Sequence, residues 1–554
     1  MMSSKGIKIV QSLFGKQIRK ATNDTLNMLT DTEGKNQHRI EKHLQNLNSG
    51  YGDSFLLGQS SWGYPVSVPL SLLIKHALVV GSTGTGKSYL ALLLLMHSLE
   101  NFRSGKYIPM AILDAKGELA AKAIEYIQAF IYQFRDEDRE CLQRKVVVMD
   151  FAQTDKIMPY NILDCSNMPA ELLVNTRIQT INQIYRGTSA LTARMRSILK
   201  YMMLLMIEHK LPITLFEKLC LDAKLVQKLA VKSKDERLRH YFTTRFPKEA
   251  RSTVLGLAQR IDSLFVSEGV KLSMSARSAP DFQKLQDEGY FIIINVCGPH
   301  ISRSTSEFLL RIILSDIQQS VFRRKKTDID YLWCLDEAQV LYRDQISREN
   351  MNDLLTMSRS FGSYFMLLTQ SLTSAVRDSD IINSILQNIR WTMMFRSTLR
   401  DAKIIAPAIP ITGMRGDATL FPFGQQKFLT KEQELKCRLE EITHFPEQIG
   451  YLWLRSEVPH AIKMKTRRLP SPEQIAGCSQ KKFAAFISEN SFGNLLPRCQ
   501  VENELHKVVS RIKDTVIDDS DKPATENPTI DDADDMVKIL ESAYLQKTGL
   551  KQKP

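Results

Sequence analysis

The sequence lacks any apolar run long enough to cross a bilayer. Stretches such as Ala91–Met96 and Tyr201–Ile207 fall far short of the roughly 18 residues a membrane helix needs. The opening residues, MMSSKGIKIVQSLFGKQIRK, carry no apolar core of the kind a secretory signal requires. Also missing are a CxxC pair and any Cys/His cluster. The eight cysteines (Cys141, Cys165, Cys220, Cys297, Cys334, Cys437, Cys478 and Cys499) are widely spaced. That pattern argues for reduced thiols and against a disulfide framework or a zinc site. Acidic residues are in deficit, giving a net charge of +13 and a pI near 9.2. Such a balance permits a nucleic acid or an anionic surface as partner without demanding either. The acids that exist crowd the C-terminus, with nine between Asp514 and Asp535 against one base, Lys522. The remainder is therefore more basic than the total suggests. With 43% hydrophobic and 24% charged residues over 554 positions, the chain reads as a soluble globular protein of more than one domain. A cytoplasmic location is expected unless a partner tethers the chain.

What is present centres on residues 76–89, HALVVGSTGTGKSY. The apolar run at 77–80 breaks into Gly81, Ser82, Thr83, Gly84, Thr85, Gly86, Lys87 and Ser88, and then a breaker-free apolar run begins. A buried strand, a glycine-rich loop and a helix start form the context of a phosphate-binding loop. The glycines let backbone N–H groups turn inward around a phosphate, and the helix adds the positive end of its dipole. Lys87 is expected on the β- and γ-phosphates, and Ser88 on Mg²⁺. A nucleoside triphosphate is thus the expected ligand.

Further strands end in acids. Residues 110–114 (MAILD) run into Lys116, Gly117 and Glu118, and residues 145–150 (KVVVMD) end at Asp150. Continuous apolar strands alternating with helices indicate an α/β fold with a mostly parallel sheet covered on both faces. Ligands then gather at the carboxyl ends of the strands, where Asp114 and Asp150 both fall. Between 165 and 281 the pattern turns all-helical, with candidate helices at 171–185, 192–210, 214–231 and 252–265. Arg186, Arg194, Arg196, Lys200, Arg237, Arg239, Arg245, Lys248, Arg251 and Arg260 stud this block, as a solvated face or as a surface for nucleic acid or a partner.

The sheet resumes at 289–295, and residues 331–339 read YLWCLDEAQ. An apolar strand ending in Asp-Glu fits a Walker B element. Asp336 is expected to hold Mg²⁺, and Glu337 to orient and deprotonate the attacking water. Another strand ends at Thr369 and Gln370, where Gln370 is placed to sense the γ-phosphate or the water. A further helix and strand span 382–395, a hairpin closes the sheet at 449–465, and Arg390, Arg396 and Arg400 are spare cations. The expected divisions are an N-terminal helical segment at 1–50, a nucleotide-binding domain at 51–164 and 282–465, an all-α domain at 165–281, and a C-terminal extension at 466–554. Residues 1–50 read as a basic amphipathic segment that packs on its own domain or docks on a partner. The acidic tail has a disordered composition, with 536–545 as a possible recognition helix.

Taken together, Gly81–Ser88, the DAKGE at 114–118, the PYNIL at 159–163, the DEAQ at 336–339 and the TQSL at 369–372 resemble the coupling proteins of type IV secretion and conjugation (TraD/TraG type). These belong with the HerA and FtsK DNA pumps. The resemblance spans about 55–465, and DAKGE and PYNIL are its discriminating parts. It implies a RecA-like P-loop NTPase with an inserted all-α domain, acting as an ATP- and Mg²⁺-dependent homo-hexameric translocase on DNA without sequence preference. It also implies an arginine supplied to the γ-phosphate by the neighbouring subunit, and Arg359, eleven residues before Gln370, fits that position. Relaxosome or secretion-channel proteins are the implied partners, with the C-terminal tail recruiting accessory proteins. One departure is that coupling proteins usually begin with two membrane helices, and none is visible here. That leaves a member anchored through a membrane-bound partner, a HerA-like pump in repair or phage defence, or an ATP-gated receptor for secreted proteins.

Overall fold

The computed structural model describes residues 42, 53–61, 63–185, 190–325, 329–342, 345–376, 379–411, 429–455, 460–490 and 492–517. The expected segment at 1–50 (residue 42 apart), Arg186, Lys326, and the tail from 518 on with its candidate helix at 536–545 lie outside the described residues. Two compact units are present: Met1–Leu505, which holds the sheet and the helical block, and His506–Pro554, whose described residues are helical.

The strands, in chain order, are β1 (Ser54–Ser60), β2 (Pro65–Pro69), β3 (Ala77–Val80), β4 (Met110–Asp114), β5 (Val146–Asp150), β6 (Lys156–Ile157), β7 (Phe291–Asn295), β8 (Tyr331–Leu335), β9 (Ser363–Thr369), β10 (Trp391–Met394), β11 (Ile449–Leu454), β12 (Ile462–Thr466) and β13 (Leu496–Pro497). Eleven of them form one sheet in the order β2-β1-β12-β11-β10-β3-β9-β8-β4-β7-β5. From β10 to β5 every neighbouring pair is parallel, while the β2 side is antiparallel. This is the α/β architecture expected from the apolar strands, with an antiparallel flap built by β1, β2 and the β11–β12 hairpin. Strands β3, β4, β8, β9 and β10 are buried at every position, as a sheet covered on both faces requires.

Alternate residues divide the two faces. Val79, Ile112, Ile293, Cys334, Met366 and Met393 join one core with the helices Lys87–Glu100 and Glu118–Gln133. The first of these helices is apolar all round, and Leu90–Leu95 are at most 4% exposed. It is therefore sandwiched rather than amphipathic. On the opposite face Trp333 packs edge-on against Phe282 and donates to Gln286.

The helical block leaves the sheet after β5 and returns to β7, the strand hydrogen-bonded beside it. An insertion between adjacent strands leaves the ladder intact, so its length costs little. Its helices include Ala170–Ile184, Ala193–Glu208 and Arg251–Asp262. The single helix expected at 214–231 is broken into Phe216–Leu221 and Ala223–Val231. Asp222 stands between them and its side chain accepts from Leu225 N at 2.9 Å, so a new helix starts there. The PYNIL stretch fastens this block. Tyr160 Oη donates to Asp316 Oδ2 at 2.5 Å, and Arg177 grips the same carboxylate through Nη1 (2.6 Å) and Nη2 (3.1 Å). Among the block's cations, Arg196, Arg239, Arg251 and Arg260 donate to backbone carbonyls, and Arg237 pairs with Glu171 and Asp235.

Candidate nucleotide-binding site

The loop Gly81–Ser88 connects β3 to the helix Lys87–Glu100 at the carboxyl edge of the parallel strands. Its shape depends on glycine, for space at Gly81 and for conformation at Gly86 above all. A Cβ on Gly81 would come within 2.5 Å of Thr85 Oγ1 and 2.8 Å of Phe395 Cβ, and Gly86 has φ +125°, which L side chains rarely adopt. Thr85 Oγ1 donates to Ser82 O at 2.8 Å, closing the loop on itself. Neighbouring strands hold it from outside: Gly81 N donates to Thr369 O, Ser82 N to Arg396 O, and Gln448 N to Thr85 O. Lys87 is buried, and its ammonium donates to Gly81 O at 2.6 Å and Ser82 O at 3.0 Å. Ser88 comes next, half-buried, in the first turn of the helix.

Strand β9 lies between β3 and β8, so the acids at the end of β8 stand one strand away from the loop. Asp336 and Glu337 are each 8% exposed. Asp336 N donates to Leu113 O at 2.9 Å, fixing the turn to β4. Burial pushes the Asp336 carboxyl up to about 6, helped by the charges of Asp114 and Glu337 and opposed by Lys87. Burial likewise holds the Lys87 ammonium below its usual range, while Asp336 and then Glu337 pull it back up. The glycine-rich loop and the acidic pair therefore share one electrostatic environment. Among the described residues no three acids are grouped to hold a metal by themselves, but the Asp336 carboxylate and the Ser88 hydroxyl are oxygen donors of the kind that a hard divalent cation bound with phosphates takes.

Glu337 has φ +54°, a left-handed value that costs a non-glycine residue energy. Its carboxylate receives three donors: Lys116 Nζ, Gln339 Nε2, and Gln370 Nε2 at 2.9 Å. Gln339 Oε1 in turn accepts from Thr369 Oγ1 at 2.9 Å and from Gln370 N at 3.4 Å. Gln370 thus joins the site. Lys116 and Gln339 join it too, although the sequence reading assigns neither of them a role there. Both lie inside the DAKGE and DEAQ motifs, which is the signal that could have found them.

Two acids at strand ends do not reach the ligand space as expected. Asp114 is 0% exposed and its two oxygens accept from Lys116 N (2.7 Å) and Ala120 N (2.8 Å). It builds the β4 turn and bears on the site through its charge on Asp336. Asp150 ends β5, the sheet's edge, with four strands between it and β3. Its oxygens accept from Ala152 N, Gln153 Nε2 and Asn295 Nδ2. Arg359 stands in the turn Ser358–Phe361 at the amino end of β9, whereas Gln370 lies just past its carboxyl end. Seven residues of strand separate them by about 20 Å, so Arg359 does not reach the loop and acidic pair of its own chain. There it donates to Asn388 Oδ1 at 3.1 Å and lines, with Lys75, Arg390 and Arg455, a cavity of 660 Å³. Among the described residues no helix is long and apolar enough to cross a membrane.

Residues 55–317 match the family described as Helicase HerA, central domain. No curated protein matches the chain in sequence. Among solved structures, the bacterial conjugative coupling protein TrwB in an unbound form aligns with a TM-score of 0.45 at 14% identity, covering 78% of this chain and 93% of that one. The plasmid coupling protein TrwB in complex with ADP and Mg²⁺ gives 0.45 at 15%, covering 78% and 94%. VirB4 of Thermoanaerobacter pseudethanolicus gives 0.45 at 14%, covering 76% and 97%. With the loop, the acidic pair and the strand order described above, the core of this chain is a P-loop NTPase fold similar to the HerA central domain.

Proposed function

We propose that this protein is an ATP-driven motor of the coupling-protein kind, working as a homo-hexameric ring that recruits and moves DNA, or DNA with attached protein, into a transfer machine. The observation that carries the reading is the meeting of Lys87, Asp336, Glu337 and Gln370 at adjoining strand ends. In this reading Gly81–Ser88 cradle the phosphates of ATP, and Lys87 leaves the Gly81 and Ser82 carbonyls for the β- and γ-phosphates. Ser88 and Asp336 would hold Mg²⁺, which when bound would supply charge neutralisation on the phosphates. Glu337 accepts the proton of the attacking water, and Gln370 fixes the position of Glu337 and of that water.

Arg359 acts on the neighbouring subunit's nucleotide. That role is supported by its separation from its own loop and by the cationic cavity around it. A ring with basic residues toward its pore grips the phosphate backbone regardless of sequence. Relaxosome or channel proteins, one of them membrane-anchored, are the partners this reading calls for.

The test is ATP hydrolysis by the purified chain with Mg²⁺ at low salt, with and without DNA. Wild type should hydrolyse ATP faster with DNA, and Lys87→Ala and Glu337→Gln should each lose activity. Equal rates with and without DNA would remove the pump, and hydrolysis untouched by Glu337→Gln would remove the assigned chemistry.

A further inference from the structure

The lysine of the DAKGE stretch has no role in the chemistry above, yet it ends on the residue assigned as general base. Lys116 Nζ and Gln370 Nε2 both donate to Glu337 Oε1, and Gln339 Nε2 donates to Oε2. A carboxylate has about four acceptor sites in all, so three donors leave little of it for a water molecule. The root of Lys116 is fixed. Its own N–H is held by Asp114 Oδ1 at 2.7 Å, and the next residue, Gly117, is left-handed at φ +89°. Only its side chain is able to move, and that side chain is 45% exposed, whereas the Glu337 side chain it holds is 9% exposed. Lys116 also lies within Coulombic reach of Lys87, and hence of the space where phosphates would sit.

We infer that Lys116 is a restraining residue: its ion pair holds Glu337 away from the attacking water until a more highly charged anion, the bound triphosphate, draws the ammonium off. The inference rests on the ATPase reading above. A compact point charge on a flexible stem suits an exchange between two anions better than a rigid guanidinium fork does. Gln339 and Gln370 stay with Glu337 and keep it oriented after the lysine leaves. The Gln339 amide oxygen is itself anchored by the Thr369 hydroxyl at the end of β9 and by the backbone N–H of Gln370. Binding of the substrate and release of the base are thereby one event, which limits hydrolysis in a subunit whose nucleotide is badly seated.

The test compares full-length wild type, Lys116→Met, Lys116→Gln, Lys116→Arg and Glu337→Gln in steady-state hydrolysis of Mg-ATP without DNA, with thermal melts to verify folding. Lys116→Met and Lys116→Gln should raise kcat by roughly three- to tenfold with KM within about twofold, and Lys116→Arg should bring the rate back toward wild type. Unchanged or lower kcat in folded Lys116→Met and Lys116→Gln, with Glu337→Gln inactive, overturns the restraint and leaves the ATPase reading standing. A wild type without hydrolysis overturns the ATPase reading and the restraint with it. A purely structural lysine would alter the melting temperature and leave the ratio of kcat between the Met and Arg variants near one.

Discussion

Replacing Asp316 with alanine should cost this protein more than any single change at its nucleotide site. Asp316 sits on the helix Arg303–Arg323 and faces two donors from beyond it: the guanidinium of Arg177 on Ala170–Ile184, and the phenol of Tyr160. Arg177 is 3% exposed and Tyr160 0%. Burial, then the charge of Asp316, lifts the Tyr160 phenol well above its usual range. Without the carboxylate, Arg177 keeps only its Nε bond to Ile162 O at 2.7 Å. Leaving one partner of a buried pair uncompensated costs about 3–5 kcal/mol, and an orphaned phenol adds about 1 kcal/mol. The single change should therefore remove roughly 5 kcal/mol, a large share of a typical domain's margin. The triple variant Tyr160→Phe, Arg177→Met, Asp316→Leu removes the three polar side chains together, leaving only the Ile162 carbonyl without its Arg177 donor, and should lie within about 1–2 kcal/mol of wild type. Urea titration read by protease susceptibility of the block at 165–281 measures both. A cost below about 1 kcal/mol for Asp316→Ala, or a triple variant as weak as the single one, would refute the reasoning.

Three further outcomes are expected. Glu337→Gln keeps the size and most hydrogen bonds of the side chain but loses the base, so hydrolysis should fall by about 10²–10⁴ while a fluorescent ATP analogue still binds; loss of binding instead would place Glu337 in ligand capture. Gly81→Ala sets a Cβ within 2.5 Å of Thr85 Oγ1 and 2.8 Å of Phe395 Cβ, which should cost about 1–3 kcal/mol of overpacking and weaken nucleotide binding together; an unchanged melting temperature and affinity would show that the loop has room. His76 is buried beneath Tyr364 and Phe365, accepts from Phe365 N at 2.9 Å, and is lowered by burial and then by Arg359 from 6.5 to about 3. Because its folded pKa is depressed, the associated stability is complete above pH 6.5 and drains away as pH falls toward 3. Between pH 6.5 and 5 that is about 2 kcal/mol, and His76→Asn should flatten this part of the stability–pH curve; an identical slope in wild type and variant would show that His76 is not the group responsible.

The parts of this fold legible in the sequence are those where one physical demand fixes consecutive residues. A strand covered on both faces must be apolar throughout, so β3, β4, β7, β8 and β9 announce themselves. A loop that folds around phosphate needs glycine at defined steps, so Gly81, Gly84 and Gly86 are visible together. The strand order is a different matter. Asp150 ends a strand as apolar as β4, yet β5 is the sheet's edge, and nothing local to 146–150 says so. Asp222 is not legible as a break because a helix-starting cap and an ordinary acid on a helix surface are the same residue until the geometry is known.

The acidic pair shows where such reading stops. A rule that looks for a carboxylate at a strand end cannot tell one that faces a ligand from one that holds its own backbone. Asp114 and Asp336 end neighbouring strands β4 and β8 and are both buried. They differ in the backbone immediately downstream of each acid. After Asp114 the chain turns through Gly117 into a helix, and that turn brings the amides of Lys116 and Ala120 back onto the carboxylate. After Asp336 comes Glu337 in a left-handed conformation, and among the described residues the only backbone amide that bears on the Asp336 carboxyl is that of Glu337. Two satisfied oxygens make a structural acid. A carboxyl pushed up to about 6, with a second acid beside it and a lysine opposite, remains short of cationic partners. That unmet demand, rather than the letters Asp-Glu, is what separates Asp336 from Asp114, and it is what the Mg²⁺ of the proposed function would answer.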